Sequence, residues 1–165
     1  IMLSGETAVG KYPVESVAMM ARIAAYTEAD IDYRQRFSSL PPDAQASVAG
    51  AVAHAACLAA HSEGARAILA VTKSGATARM VSKYRPAVPV VACSPDDKTC
   101  NQLAMVWGVC TLLTDEADNT DALFDQVLRR AQEEEISCPG DAVVLVAGVP
   151  LGKTGTTNTL KVQVI

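Results

Sequence analysis

Apolar residues between positions 67 and 147 fall into short, nearly continuous runs, and helical patterns separate these runs. Such runs are typical of strands in a parallel sheet that helices cover on both faces. We therefore predict an α/β fold, a three-layer sandwich with a mostly parallel five-stranded sheet. The predicted strands lie at 67–72, 88–93, 109–113 and 142–147, and the helices between them at 75–84, 96–107 and 120–135.

The end of the chain has an alternating pattern instead. Within Thr159–Ile165, aliphatic residues alternate with Lys161 and Gln163. Alternation predicts a strand with one covered face, as an edge strand has. Because the loop at 148–158 connects it to the fourth strand, we expect it to lie antiparallel beside that strand.

The first thirty residues have a separate organisation. Ile1–Leu3 has the pattern of a strand end, and Ser4–Gly10 that of a polar loop. Pro13 and Glu15 suit the first turn of a helix that continues to about Asp30. A chain that opens on such a strand end is expected to be cut from a longer protein.

A break follows this helix. Residues 31–42 are charged and end in Ser-Ser-Leu-Pro-Pro, which cannot continue a helix. Asp43 can then cap an alanine-rich helix to about Ser62, with Gly64 as its stop. We expect one unit at 1–30, a linker at 31–42 and a larger domain at 43–165.

Composition narrows the class of protein. Half of the 165 residues are hydrophobic, 19% are charged and the mean hydropathy is +0.19, so the chain is globular. No apolar run approaches the roughly 20 residues that span a bilayer. The net charge of −4, with Lys and Arg scattered, lacks the clustered cations that nucleic acid requires. We therefore expect neither a membrane nor a nucleic acid as a partner.

Cysteine usage predicts a reducing compartment. The five cysteines are odd in number, have apolar neighbours and never form Cys-x-x-Cys, which favours reduced, buried thiols in a cytoplasmic protein. His54, Cys57 and His61 share a helix face and suit zinc by type. Alanines surround them, and no nearby carboxylate orients the imidazoles, so we expect packing and no metal site.

The first candidate site is the turn after the strand at 67–72. A strand that ends in a hydroxyl-rich turn before a helix presents free amides, hydroxyls and one ammonium, which together suit a phosphate. In an open parallel sheet, ligands also bind at this end of the strands. An ordinary helix cap is the alternative. The residues concerned are Thr72, Lys73, Ser74, Gly75, Ala76 and Thr77.

The second candidate is the loop Gly148–Asn158. It resembles a Walker A loop, but only three residues separate its first two glycines, and a strand pattern follows in place of a helix. We therefore reject nucleotide hydrolysis. The loop is either a long hairpin without function or a flexible segment that closes over an anion on the first turn. The residues that would close are Gly152, Lys153, Thr154, Gly155 and Thr156.

Several motifs together resemble the pyruvate kinase family. Met2–Val17 is similar to the end of the eighth strand of that family's TIM barrel and the helix after it. Thr72–Ala78, Tyr84–Pro86 and Gly155–Thr159 are similar, in order and spacing, to its C-terminal domain. The resemblance implies that 1–30 closes a barrel and that 43–165 is an α/β regulatory domain.

The resemblance also implies an activity. The family transfers phosphate from phosphoenolpyruvate to ADP in glycolysis, giving pyruvate and ATP, as a cytoplasmic homotetramer with Mg²⁺ and usually K⁺. The catalytic lysine and the metal ligands would lie upstream of Ile1, so we expect this piece alone to be inactive and to hold no cofactor. Only Ser4 and Glu6 would belong to the catalytic neighbourhood, where they would assist the proton supply to the enolate of pyruvate.

Finally, the resemblance assigns the two candidate segments to one allosteric site. Many members that bind a bisphosphate have a basic residue where Ala76 stands, and the loop here offers only Lys153. A sugar monophosphate or nucleoside monophosphate is therefore favoured over a bisphosphate. Two alternatives stay open: a stand-alone module that binds a phosphorylated metabolite without catalysis, and a structural domain whose strand Thr159–Ile165 pairs with another copy.

Overall fold

The computed structural model of the chain describes residues 1–38, 47–151 and 156–165. The chain divides into two compact units, Ile1–Gln35 and Arg36–Ile165. Helix α3, Tyr33–Ser38, lies across this division and within the predicted linker. The boundaries predicted for the domains stay predictions.

The first unit is built from two helices, α1 at Gly5–Ala8 and α2 at Pro13–Ala29. Pro13 occupies the first turn of α2, as predicted. The expected strand at residues 1–3 is absent from the described unit, because a strand needs a hydrogen-bonded neighbour and these residues have none. The polar loop predicted at Ser4–Gly10 contains α1.

The second unit alternates helices with strands. Its helices are α4 at Val48–Ser62, α5 at Ala76–Lys83, α6 at Asp97–Leu103 and α7 at Thr120–Glu133. Its strands are β1 at Ala67–Val71, β2 at Val90–Ser94, β3 at Val109–Leu113, β4 at Ala142–Gly148 and β5 at Thr157–Val164. None of the described helices is long and apolar enough to cross a membrane.

The five strands form one sheet in the order β3-β2-β1-β4-β5. Strand β1 pairs in parallel with β2 and β4, and β2 in parallel with β3. Only β4 and β5 are antiparallel, with Ala142 opposite Val164. The predicted α/β class, the mostly parallel sheet and the antiparallel last strand are confirmed.

Both faces of the three inner strands, β1, β2 and β4, are buried, and alternate residues of each of them face opposite layers. Ile68 and Val90 belong to the cluster that packs on α4 and α5. Leu69 and Val91 belong to the cluster that packs on α7. Because β1, β2 and β4 each face two apolar layers, their sequences are continuous apolar runs.

Helix α4 begins later than predicted. Ser47 is its N-cap, with an extended backbone and a side chain that accepts a hydrogen bond from the Gly50 amide at 3.0 Å. Asp43, the predicted cap, lies outside the described residues. Gly64 has φ of +60° just after the helix, which agrees with its predicted role as a stop. Helix α6 ends at Leu103, earlier than expected, and a series of turns leads to β3.

The five cysteines are all free thiols. Cys57, Cys93 and Cys100 are buried as predicted, whereas the prediction is wrong for Cys110 and Cys138, which are exposed. Cys110 is exposed because β3 is an edge strand, with a neighbouring strand, β2, on one side only.

Candidate functional site

A cleft of about 380 Å³ lies where the parallel strands end, and we call it the carboxyl-edge cleft. Its walls come from the segments that follow β1, β2 and β3, from Gly148 at the end of β4, and from Thr156 and Thr157 at the start of β5. From β1 the chain proceeds outward to β2 and β3 and then returns to β4 on the other side. The cleft therefore lies at the topological switch point, where open α/β sheets bind ligands.

Gly75 shapes the turn that enters α5. Its φ of +80° lies in the left-handed region, and an added Cβ would come within 3.0 Å of Leu103 Cδ2. As the N-cap it offers no side chain to the first helical amides. The amides of Ala76 and Thr77 have no acceptor within the helix either, so they are available to an anion.

Hydrogen bonds to β2 and α6 hold the rest of the turn. The Thr72 amide donates to the Cys93 carbonyl at 3.0 Å, and the single proton of the Thr99 hydroxyl is shared between the Lys73 carbonyl at 3.1 Å and Asp96 Oδ2 at 2.6 Å. Asp96 caps α6 and accepts from the Thr99 hydroxyl and amide, and these bonds lower the pKa of its carboxyl. The backbone of the turn is therefore fixed before any ligand arrives.

Thr77 has a partner inside the protein. Its hydroxyl lies 2.9 Å from that of Thr157, and both residues are buried. This contact joins the first turn of α5 to the first residue of β5. On the neighbouring strand, a Cβ at Gly148 would lie 2.7 Å from the Thr156 hydroxyl, so only glycine fits there. Five of the six predicted turn residues therefore line one cleft with Thr156, although 80 positions separate Thr77 from Thr157; Gly75 is the exception.

The charged side chains of the cleft include three carboxylates that the sequence analysis missed. Asp115, Glu116 and Asp118 follow β3 and face one ammonium, Lys73, among the described lining residues. Lys73 Nζ lies 3.0 Å from Glu116 Oε1. The signal that could have located them is the position of the Thr114–Asp118 segment directly after a parallel strand, at the same edge of the sheet as the turn.

Four of the predicted loop residues, Gly152, Lys153, Thr154 and Gly155, lie outside the described residues. The described ends of that loop are joined by Asn158. Its side chain accepts from the Val149 amide at 2.9 Å and donates to the Val149 carbonyl. Leu151, the last described residue before the loop, lines the carboxyl-edge cleft.

Ser4 and Glu6 lie together at the start of α1. The Ser4 hydroxyl donates to Glu6 Oε2 at 3.5 Å, and both residues are exposed. Hydrogen bonds from its own amide and from that of Ser4 lower the pKa of Glu6 below the usual range. The group is therefore an ionised carboxylate at neutral pH, which accepts protons or hydrogen bonds and does not donate them.

His54 and Cys57 of α4 are used in packing. The His54 ring stacks on Phe37 at 4.4 Å and meets the Tyr84 ring edge-on at 5.4 Å. Cys57 Sγ lies 3.9 Å from the Val81 carbonyl, and burial raises the pKa of this thiol to about 12. Within the described ranges, no three His, Cys, Asp or Glu side chains are grouped as a metal site requires.

Comparison with known protein families shows which family the chain belongs to. The family described as "Pyruvate kinase, alpha/beta domain" matches residues 50–163, which is more than half of the chain. The chain belongs to the pyruvate kinase family. The pyruvate kinase of Clostridium acetobutylicum is 42% identical over 165 residues, all of this chain and 35% of that protein. That of Sporosarcina psychrophila is 41% identical over the same 165 residues, 28% of its length.

A solved pyruvate kinase has the same fold. The crystal structure of a pyruvate kinase from Cryptosporidium parvum matches with a TM-score of 0.81 and 33% identity, over 98% of this chain and 32% of that chain. The resemblance seen in the sequence motifs is confirmed. The chain spans about a third of the length of the pyruvate kinases it matches.

Proposed function

We propose that the protein to which this chain belongs is a pyruvate kinase, which transfers phosphate from phosphoenolpyruvate to ADP and gives pyruvate and ATP in glycolysis. The observation that carries the proposal is the match of residues 50–163 to the alpha/beta domain of that family. Its relatives at about 40% identity, named pyruvate kinase, align with all or nearly all of this chain. We propose further that the enzyme is a cytoplasmic homotetramer.

The chain's own contribution to the phosphate transfer is accessory. The transferring phosphoryl group needs positive charge around it, which Ser4 and Glu6 do not supply. Ser4 holds a hydroxyl next to the ionised carboxylate of Glu6, an arrangement that can orient a water molecule for proton supply. We propose that the Mg²⁺ and K⁺ that the family uses are held by residues outside this chain.

An assay of ATP formation tests this activity. The protein from the complete coding sequence should form ATP from phosphoenolpyruvate and ADP, while the 165-residue chain alone should form none above a no-protein control. Failure of the complete protein would overturn the proposed activity. ATP formation by the 165-residue chain would show that it holds catalytic groups beyond Ser4 and Glu6.

We also propose that the carboxyl-edge cleft binds a phosphorylated allosteric effector. The phosphate would accept hydrogen bonds from the amides of Ala76 and Thr77 and from the exposed Ser74 hydroxyl, next to the ammonium of Lys73. The positive end of the α5 dipole adds to this attraction. Lys153, on the loop between β4 and β5, would close over the ligand.

The chemistry of the other wall favours a sugar next to the phosphate. Asp115 and Asp118 line the cleft and can accept hydrogen bonds from ligand hydroxyls. Three carboxylates against one described ammonium would repel a second phosphate. A sugar monophosphate or a nucleoside monophosphate therefore fits better than a bisphosphate.

Kinetics of the complete protein test the effector site. A sugar monophosphate or nucleoside monophosphate should shift the saturation curve for phosphoenolpyruvate, and Ser74→Ala should abolish most of that shift. The control is Ser62→Ala. Ser62 is an exposed residue at the end of α4, on the segment that leads to the start of β1, whereas the cleft lies at the other end of that strand. Equal responses from both variants would place the effector elsewhere.

A further inference from the structure

An ion pair crosses the end of β2 at the mouth of the carboxyl-edge cleft. Lys73 follows β1 and Glu116 follows β3, and β2 lies between these strands in the sheet. Their side chains meet at 3.0 Å although 43 positions separate them. Both are mostly exposed, with 61% and 75% of their side-chain surface accessible.

The ammonium that a phosphate would use is therefore already next to a carboxylate. A cation with an adjacent anion attracts an incoming anion less, because the two fields partly cancel outside the pair. The neighbouring carboxylate of Asp115 has another partner, since it accepts from Gln126 Nε2 at 3.0 Å. Among the described residues, Glu116 is thus the carboxylate that competes directly for Lys73.

We propose that Glu116 is an internal competitor of the phosphate ligand, which sets the affinity of the effector site by occupying Lys73 until a ligand displaces it. This inference rests on the effector site proposed above. Binding then exchanges one ionic partner of Lys73 for another, and no covalent bond changes. The residue that tunes the site lies on the segment after β3, outside the turn and outside the loop.

The size of the effect follows from the exposure of the pair. Exposed ion pairs contribute little because water screens them, so releasing Lys73 should tighten phosphate binding about two- to fivefold. Glu116→Gln keeps the shape of the side chain while removing its charge. Asp118→Asn is the matched control. Asp118 lines the same cleft, and its substitution by Asn removes one negative charge while leaving the Lys73–Glu116 ion pair intact.

The test is a titration of the full 165-residue chain with inorganic phosphate, followed by the NMR shifts of the amides of residues 74–77. We expect Glu116→Gln to bind about two- to fivefold more tightly than the wild type, and Asp118→Asn to gain clearly less. In a Lys73→Ala background, Glu116→Gln should gain no more than Asp118→Asn does. Unchanged spectra away from the cleft check that each variant is folded.

Each outcome decides between the two proposals. Equal gains from Glu116→Gln and Asp118→Asn, or a gain of Glu116→Gln that persists without Lys73, would overturn the competitor role while the site itself stands. Shifts in Glu116→Gln but not in the wild type would support both the role and the site. Failure of both proteins to respond at residues 74–77 would contradict the effector site and the competitor role together.

Discussion

At the scale of single residues, Gly75 determines the backbone geometry of the turn that enters α5. A side chain at φ of +80° is strained, and its Cβ would press on Leu103 at 3.0 Å. We expect Gly75→Ala to lower the free energy of unfolding by about 2 kcal/mol, through strain and crowding together. Urea denaturation measures this.

Gly64→Ala is the control for this substitution. Gly64 has φ of +60° but open space around its Cβ position, so it bears the backbone strain alone. Its loss should be about 1 kcal/mol. Equal losses at Gly64 and Gly75 would mean that contact with Leu103 adds nothing.

The buried thiols make stability depend on pH at the alkaline end. Burial raises the pKa of Cys93 to about 12, so the folded state holds this proton more tightly than the unfolded state does. The protonated Cys93 thiol therefore contributes to the free energy of unfolding. This contribution is complete below the unfolded pKa of about 8.5 and is lost as pH rises toward 12. Across that window, the unfolding free energy of the wild type should fall more steeply than that of Cys93→Ala, by about 1.4 kcal/mol per pH unit. Parallel pH profiles for the two proteins would contradict this.

At the scale of elements, the contact between the hydroxyls of Thr77 and Thr157 joins α5 to β5. Removing one hydroxyl leaves the other buried without its partner, which costs about 1–3 kcal/mol, whereas removing both is close to neutral. We therefore expect Thr77→Val and Thr157→Val each to destabilise the chain, and the double variant to lose less than their sum. Additive losses in thermal or urea unfolding would show that the hydroxyls do not act as a pair.

How far the sequence predicts these elements depends on what determines each of them. The strand β4 at Ala142–Gly148 was predicted with the correct start and an end one residue early, because a strand buried between two layers leaves a continuous apolar run. The start of α4 was missed because one hydrogen bond, from the Gly50 amide to Ser47, decides it. Several hydroxyl or acidic residues nearby have the same local capacity to cap a helix.

The same contrast holds for the candidate site. The turn at Thr72–Thr77 is a local signal, since its hydroxyls and glycine are neighbours in the sequence. The pairing of Lys73 with Glu116 depends on the order of strands in the sheet, and spacing along the chain does not contain it. From the sequence, only the rule that parallel strands end at the same edge of a sheet could have predicted that these two side chains lie close together.

At the scale of the whole molecule, the two units should differ in local stability. None of the residues of α2, all of which the structure describes, is buried, whereas β1 and β4 form the centre of the sheet. Amides whose hydrogen bonds lie near solvent exchange through small local openings. We expect the amide hydrogens of α2, which Pro13 itself lacks, to exchange with solvent much faster than those of Ala67–Val71. Equal protection in a hydrogen-exchange experiment on the 165-residue chain would contradict this expectation.

The central claim is that the carboxyl-edge cleft holds a phosphate at the entry to α5, and calorimetric titration with a sugar monophosphate tests it most directly. The wild-type chain should bind one ligand, and Ser74→Ala should weaken that binding about ten- to hundredfold, because a charged hydrogen bond contributes about 1.5–3 kcal/mol. Ser62→Ala should bind as the wild type does. Equal affinity of Ser74→Ala and the wild type, or no binding by either, would contradict the claim.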